Sequence, residues 1–221
     1  MASKDLDIEA RGERLVLLPE RAVYWPKRHT LLVADAHFGK ASLRADGTPS
    51  SRGTLNESLA RLDAILARHP VKQIIFLGDF LHEEKGREPA TFEKLQSWRE
   101  RHPDLELMLV RGSRDTHTGD PPKSLRVQVV DECYPFDPFA LCHEPAEAVR
   151  RFAIAGYLHP VFALRGRANE RLRLPCFWFS ENFAVLPAFG SFSGGYLIER
   201  RPGDRVFLIA DNEILAVEPL K

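Results

Sequence analysis

Apolar residues along this chain recur in two rhythms, and the change between them divides it. In the first half, short apolar blocks alternate with longer amphipathic stretches. LVLL (15–18) and AVYW (22–25) have strand length and are separated by Pro19 and charged residues, which predicts a hairpin. TLLVA (30–34), QIIFL (73–77) and LELMLV (105–110) are continuous apolar runs, the pattern of strands covered on both faces. Between them Leu55, Leu59, Leu62, Ile65 and Leu66 recur at helical spacing, so NESLARLDAILARH is predicted as a helix lying on a sheet. Pro89 opens a second helix over ATFEKLQSWRERH, with Phe92, Leu95 and Trp98 on one face and Pro103 just past its end. The order is β-α-β-α-β, with a parallel or mixed sheet.

After residue 120 the rhythm becomes strand-like throughout. RVQVV, PFALC, AIAGYL, VFALRGR, LRLPCFWF, FAVLPAF, GYLIE, VFLIA and ILAVE follow one another across short turns, with one helical interruption near EPAEAVRRF. No flexible linker, low-complexity tract or fixed-period repeat separates the halves. The expected architecture is one α/β domain over residues 1–221: two sheets face to face with helices on the outer faces, the first 14 residues or so being a loose extension.

Composition narrows the classes. The chain has 221 residues, 44% of them hydrophobic, enough for a sizeable core. Lys+Arg and Asp+Glu both total 31, so overall charge does not argue for a nucleic-acid partner; any such surface must be local. Cys133, Cys142 and Cys176 show no paired spacing, which favours free thiols in a reducing compartment. MASKDLDIEA lacks the apolar segment of a secretory signal, and no apolar run approaches the roughly 18 residues of a membrane helix. A cytoplasmic protein without membrane attachment is the expectation.

Chemistry concentrates at strand ends. TLLVA runs into Asp35-Ala36-His37, QIIFL into Gly78-Asp79, and LELMLV into Arg111-Gly112-Ser113-Arg114-Asp115. His143 follows PFALC, and His159 follows AIAGYL. Taken singly, each Asp is more simply a helix cap and each His an ordinary half-buried residue. Taken together they place polar groups along one sheet edge, where α/β proteins build their sites. Mixed nitrogen and oxygen donors of this kind suit Zn, Mn or Fe better than Mg or Ca.

In order, DAH, GD, GSRD, CHEP and GYLH resemble the metal-binding motifs of the calcineurin-like metallophosphoesterases: D-x-H, G-D, G-N-H-D, His and G-H-x-H. The text around them (VADAHFGKA, LGDFLH, RGSRDTHTGDPP, YLHPVFALRGR, LRLPCFWF) is similar to a bacterial branch associated with a DNA ligase in repair gene clusters, and the likeness runs over about residues 15–217. The resemblance implies a four-layer α/β/β/α sandwich of two mixed sheets. It implies a metal-dependent phosphoesterase of phosphodiesterase or nuclease type, with a phosphoester substrate such as DNA and repair partners including a ligase and a helicase. A first metal site would take Asp35, His37, Asp79 and His159, with Asp79 bridging to a second. The second would use His143 and two positions that here hold Ser113 and Tyr157 in place of Asn and His. Arg114 stands where the family has a proton-donating His. Asp79, Arg114, Asp115 and His143 are the catalytic candidates. Ser113 is a feeble ligand, neutral Tyr157 fills space, and Arg114 keeps its proton at physiological pH while able to fork a phosphate. One tightly bound divalent ion is therefore expected rather than two, Mn²⁺ first and Fe or Zn next, with a degenerate second site and reduced or altered activity. The competing reading is an inactive phosphoesterase scaffold that binds nucleic acid or repair partners.

Several further residues are candidates for substrate contact. Lys40, Arg44, Arg87, Arg111, Arg165 and Arg167 are candidates for a basic rim, and Phe177, Trp178, Phe179, Phe183, Phe189 and Phe192 either stack bases or fill the core. His82 and His117 either face the cleft or lie outside it, the second being favoured.

Overall fold

The computed structural model describes residues 4–39, 55–82, 87–145, 151–165, 171–190 and 195–220. Among them the first sheet runs in order from β1 (Leu6–Ala10), β2 (Glu13–Leu18), β3 (Ala22–Trp25) and β4 (Thr30–Ala34) to β5 (Gln73–Leu77), β6 (Glu106–Val110) and β7 (Val127–Val130). The pairings through β4 are antiparallel, and β4 to β7 are parallel. The parallel part requires crossovers: α1 (Leu55–Arg68) joins β4 to β5 and α2 (Pro89–Arg101) joins β5 to β6, both packing on one face, while residues 111–126 join β6 to β7.

The second sheet contains β8 (Tyr134–Phe136), β9 (Phe139–Leu141), β10 (Phe152–Ala155), β11 (Val161–Arg165), β12 (Arg171–Phe179), β13 (Phe183–Val185), β14 (Arg205–Ala210) and β15 (Glu213–Ala216). Its order is β15-β14-β12-β13-β10-β9-β8, with β11 paired to β12 as an arm. β9, β10 and β13 are parallel neighbours. The second sheet therefore has a parallel centre between antiparallel margins, whereas the first is antiparallel from β1 to β4 and parallel from β4 out to its edge strand β7.

Alternation along the strands builds the layers. Leu31, Val33, Ile74, Phe76, Leu107 and Leu109 face Leu59, Leu62, Leu95 and Trp98 of the helices. Their strand neighbours Leu32, Ala34, Ile75, Leu77, Met108 and Val110 face Phe139, Ile154, Phe177, Phe179 and Phe207 of the second sheet. That is why these strands read as continuous apolar runs. Phe177, Trp178, Phe179 and Phe189 are buried, so the base-stacking role is excluded for them; Phe183 packs against Trp178, and Phe192 lies outside the described residues. On the outer face of the second sheet, Trp178, Val206 and Leu208 pack with Ile198 and with Phe162 and Leu164 of the β11 arm. Residues 146–150 of the helix predicted over EPAEAVRRF lie outside the described residues.

Several expectations change. The N-terminal residues are not a loose extension: β1 pairs with β2 from Leu6↔Leu17 to Ala10↔Glu13. RVQVV, placed with the strand-rich half by its position, joins the first sheet as β7. Cys133 and Cys142 are not free thiols but a disulfide, because the β8–β9 hairpin brings their Cα atoms to 4.5 Å; Cys176 is free and buried. GYLIE forms one isolated bridge, Val161↔Leu197, rather than a strand. Among the described residues no helix is long and apolar enough to cross a membrane.

Candidate metal centre

The carboxyl ends of the parallel strands in both sheets meet at one place. β4 delivers Asp35 and His37, β5 Asp79, β6 the Gly112–Asp115 turn, β9 His143, and the segment after β10 delivers Tyr157 and His159. The loops are laced by main-chain bonds that prolong the sheets: His37 N–H donates to the Asp79 carbonyl at 2.9 Å and Phe38 N–H to that of Phe80 at 2.9 Å. Gly156 N–H donates to the His143 carbonyl at 2.9 Å and Phe189 N–H to that of Ala34 at 2.8 Å, which joins the two sheets.

Two donor clusters result. Asp35, His37 and His159 place ligand atoms within 4.8 Å of one another, and so do Asp35, Asp79 and His143. His159 Nε2 lies 3.4 Å from Asp35 Oδ1, His37 Nε2 3.5 Å from His159 Nε2, and His37 Nε2 3.8 Å from Asp79 Oδ2. Asp79 turns its other oxygen to His143 Nε2 at 3.4 Å, so its two oxygens address different clusters. Two ligands each about 2.1 Å from a common centre at the tetrahedral angle stand about 3.4 Å apart, so these separations fit convergence on a cation. The unfilled hydrogen-bond capacity agrees. Asp35 Oδ1 and His143 Nε2 are buried without a hydrogen-bond partner among the described residues, a costly state unless something else satisfies them. His143 Nδ1 lies 3.2 Å from the Leu77 carbonyl; a proton there leaves Nε2 bare, the tautomer a metal ligand requires. A divalent cation fits these residues.

Backbone strain marks the same spot. Asp35, His37, Asp79, Tyr157 and His159 all have positive φ, between 44° and 65°. Such conformations are uncommon for residues other than glycine, and here they aim consecutive side chains into one cleft. Two glycines leave room for the aimed groups. A Cβ at Gly78 would stand 2.1 Å from His143 Nδ1, and one at Gly156 would stand 2.4 Å from Asp35 Oδ2. Gly156 stood in the quoted stretch GYLH, but sequence reading gave it no role of its own.

Burial sets the electrostatics. Asp79 is pushed up to about 6, first by burial and then by the charges of Asp35 and Asp115, against the pull of His143 and Arg114. Asp115 is also raised by burial, opposed by the backbone N–H groups it accepts from. Those bonds revise its role. Asp115 takes N–H donors from Gly112 at 2.8 Å, Asp79 at 2.9 Å and Phe80 at 3.0 Å. Its contacts tie the β5 loop to the β6 loop, the geometry of a positioning residue. Asp115→Ala leaves three buried donors without that acceptor and is expected to cost about 3 kcal/mol, a fall in Tm of roughly 6–12 °C. Asp115→Asn, which keeps an acceptor, should lose less; equal melting of the parent and both variants in calorimetry would refute the tie.

Ser113, at the position of the family's Asn, is exposed. Arg114 Nε stands 3.2 Å from Asp79 Oδ2, and its backbone N–H donates to Asp79 Oδ1 at 3.3 Å. Tyr157 sets its ring edge-on to His143, centroids 5.3 Å apart, while its N–H donates to Asp35 Oδ2 at 2.9 Å. His117 is exposed and bonds the Ser113 carbonyl at 3.1 Å, and His82 is outside both clusters. Of the six residues expected in a basic rim, the side chains of two, Arg87 and Arg111, are among those described. Arg111 is engaged by Asp120 and Asp131 at 2.8 and 2.7 Å, and Arg87 neighbours Gly119. Lys40, Arg44, Arg167 and the Arg165 side chain lie outside the described residues.

No protein-family model matches the chain, and none of the curated proteins does. A solved structure 47% identical to it, spanning 97% of this chain and 100% of its own, superposes with a TM-score of 0.87, and the chain belongs to the calcineurin-like metallophosphoesterases, of the ligase-associated type. That structure is the Pseudomonas putida nuclease MPE. A phosphoesterase from E. coli, YfcE, is 14% identical over 82% of this chain and 88% of its own, with a TM-score of 0.40.

Proposed function

We propose that this chain is a metal-dependent phosphodiesterase of nuclease type that works with one tightly held divalent ion, Mn²⁺ first among candidates. The convergence of Asp35, His37 and His159 on one point, with Asp79 alongside, carries the reading. The relatedness to a nuclease supports a phosphodiester substrate such as DNA. The setting in DNA repair, the cytoplasmic location and partnership with a ligase or helicase rest on the sequence resemblance.

Asp35, His37, Asp79 and His159 would hold the ion, and His143 would contribute to a weak second position. A cation there supplies Lewis acidity toward a phosphoryl oxygen and acidifies water. The chain's own groups do the rest. Asp115 and the laced loops hold Asp79 in place. The Arg114 guanidinium presents fixed N–H donors at the mouth of the site, suited to orienting a phosphate oxygen in a fork. It does not donate a proton to the leaving oxygen, because it stays charged through the physiological range. Leaving groups that need no proton, such as aryl oxides, should be favoured over alkyl ones.

Mn²⁺-loaded protein is expected to hydrolyse a bis-aryl phosphodiester, to carry about one ion per chain by elemental analysis, and to melt higher than chelator-treated protein, since a ligand of the folded state adds stability. The stabilisation is about 2.7 kcal/mol at a free ion concentration of 100 times Kd. Absence of turnover with Mn²⁺, Fe²⁺ and Zn²⁺ alike would leave the inactive scaffold as the better reading. The Arg114–Asp79 contact is the observation that favours that alternative, since it sets a protein cation against the bridging carboxylate.

A further inference from the structure

A cavity of about 370 Å³ opens directly beside His159, bounded by Arg21, Pro160, Arg173, Pro175 and Ala188. Its size is that of a small-ligand cleft. Its described lining holds two guanidinium groups and no carboxylate. Arg173 lies on β12 opposite Ala163 of the β11 arm, and Pro175 opposite Val161. Side chains two apart on a strand share a face, so Arg173 and Pro175 look into the cavity while Leu174 between them packs with Phe162 and Leu164. The arm starts two residues after His159, so the cavity wall is continuous with the metal-binding segment.

Both cations have spare capacity. Arg21 makes one long bond, Nη1 to the Gly190 carbonyl at 3.4 Å, and Arg173 makes none; neither has a carboxylate within 4.0 Å among the described residues. Arg21 and Pro175 also border a neighbouring hollow of about 550 Å³ that contains Arg61 together with Glu20 and Glu57. Arg61 adds positive field behind Arg21, and its Nε is buried without a hydrogen-bond partner among the described residues. That hollow also holds Asp211, and the charge of Glu57 reaches Arg21 without an ion pair within 4.0 Å, whereas the described lining of the cavity beside His159 has no acid. Guanidinium groups without a paired carboxylate in a concave, partly desolvated site are the arrangement that binds phosphate oxygens.

We propose that Arg21 and Arg173 form a phosphate subsite next to the metal centre that holds the neighbouring phosphodiester of a nucleic-acid strand while the adjacent one lies over Asp35, Asp79 and His159. The inference rests on the phosphodiesterase reading for its substrate class. It assigns the chain a preference for polynucleotides over isolated phosphodiesters, because only a polynucleotide brings a second phosphate within reach.

The test is binding of a single-stranded phosphorothioate oligonucleotide to Mn²⁺-loaded protein, followed by fluorescence anisotropy over a salt series. Arg21→Ala/Arg173→Ala should raise Kd about 10-fold or more and reduce the slope of log K against log salt by roughly 0.7 for each phosphate no longer neutralised. Arg173→Glu, at an exposed position without side-chain bonds, should do at least as much and keep the parent's melting temperature. Arg101→Ala, at the opposite end of the first sheet, serves as the unrelated control. Unchanged affinity and slope in folded variants overturn the subsite. So does loss of affinity for inorganic phosphate without loss for the oligonucleotide, which marks a free-phosphate site. Hydrolysis of a bis-aryl phosphodiester by the parent protein separates the two readings. Turnover with unaltered strand binding in the variants removes the subsite alone, whereas weakened strand binding without any turnover removes the phosphodiesterase and leaves the subsite.

Discussion

Combining Ser113→Asn, Arg114→His and Tyr157→His is expected to load a second Mn²⁺ per chain and to raise phosphodiester turnover by about 10²- to 10³-fold. The surroundings for the second position are already built. His143 is fully buried with its Nδ1 against the Leu77 carbonyl, and Asp79 turns one oxygen toward it. On the one-ion reading proposed above, the second position lacks two further ligands and a proton donor, which the three exchanges would supply. Removing Arg114 also removes a guanidinium from 3.2 Å of the bridging carboxylate, where it competes with any cation for the same negative charge. Tyr157 sits at φ 65°, a conformation His tolerates better than a bulky aromatic residue, so the exchange should not strain the turn. Single exchanges should yield little, because ligands of one ion act together. Elemental analysis and initial rates decide the matter: one ion per chain and unchanged turnover in the triple variant would refute the idea that these three residues disable the second site.

Asp79→Asn should abolish turnover, by at least about 10³-fold, and at the same time raise the melting temperature of metal-free protein. The two effects have one cause. A carboxylate held at 3% exposure between Asp35 and Asp115 is an unfavourable charge, as its upward shift to about 6 shows. Above that pH the folded metal-free chain must hold it ionised at a cost that the unfolded chain does not bear. An amide of the same shape removes that cost, and also removes the anionic oxygen that bridges the clusters. The variant should therefore melt higher than the parent in chelator, and lower than the parent in Mn²⁺. A variant that melts lower in both conditions would mean that Asp79 is chiefly a structural partner of Arg114 and His143.

Much of this arrangement was legible because its causes are local. The runs TLLVA, QIIFL and LELMLV are apolar at every position because one face meets α1 and α2 and the other meets the second sheet. The strand ends carried Asp35, His37, Asp79, His143 and His159, and the fold brings them together. What sequence reading missed depends on tertiary pairing. LDIEA carries the apolar–polar alternation of a half-buried strand, but it is only five residues long and its pairing with β2 is what fixes it. The Cys133–Cys142 pairing follows from a hairpin turn rather than from spacing. Asp115 carried the family signature of a site residue, yet its contacts are three backbone amides. Arg21 lies in a turn outside the metal-binding motifs and Arg173 within LRLPCFWF, and only the folded chain sets them beside His159.

Asp35 leaves the first sheet at the end of β4, but its carboxylate accepts the Tyr157 N–H and faces His159 and His143, all delivered by the second sheet. The centre is thus a joint between two separately encoded halves. A chain divided after Val130 would give one fragment with Asp35, His37 and Asp79 and another with His143 and His159, neither holding a complete donor set. Metal affinity in such a split protein reports reassembly of the two sheets, and a chelator would act as a dissociating agent.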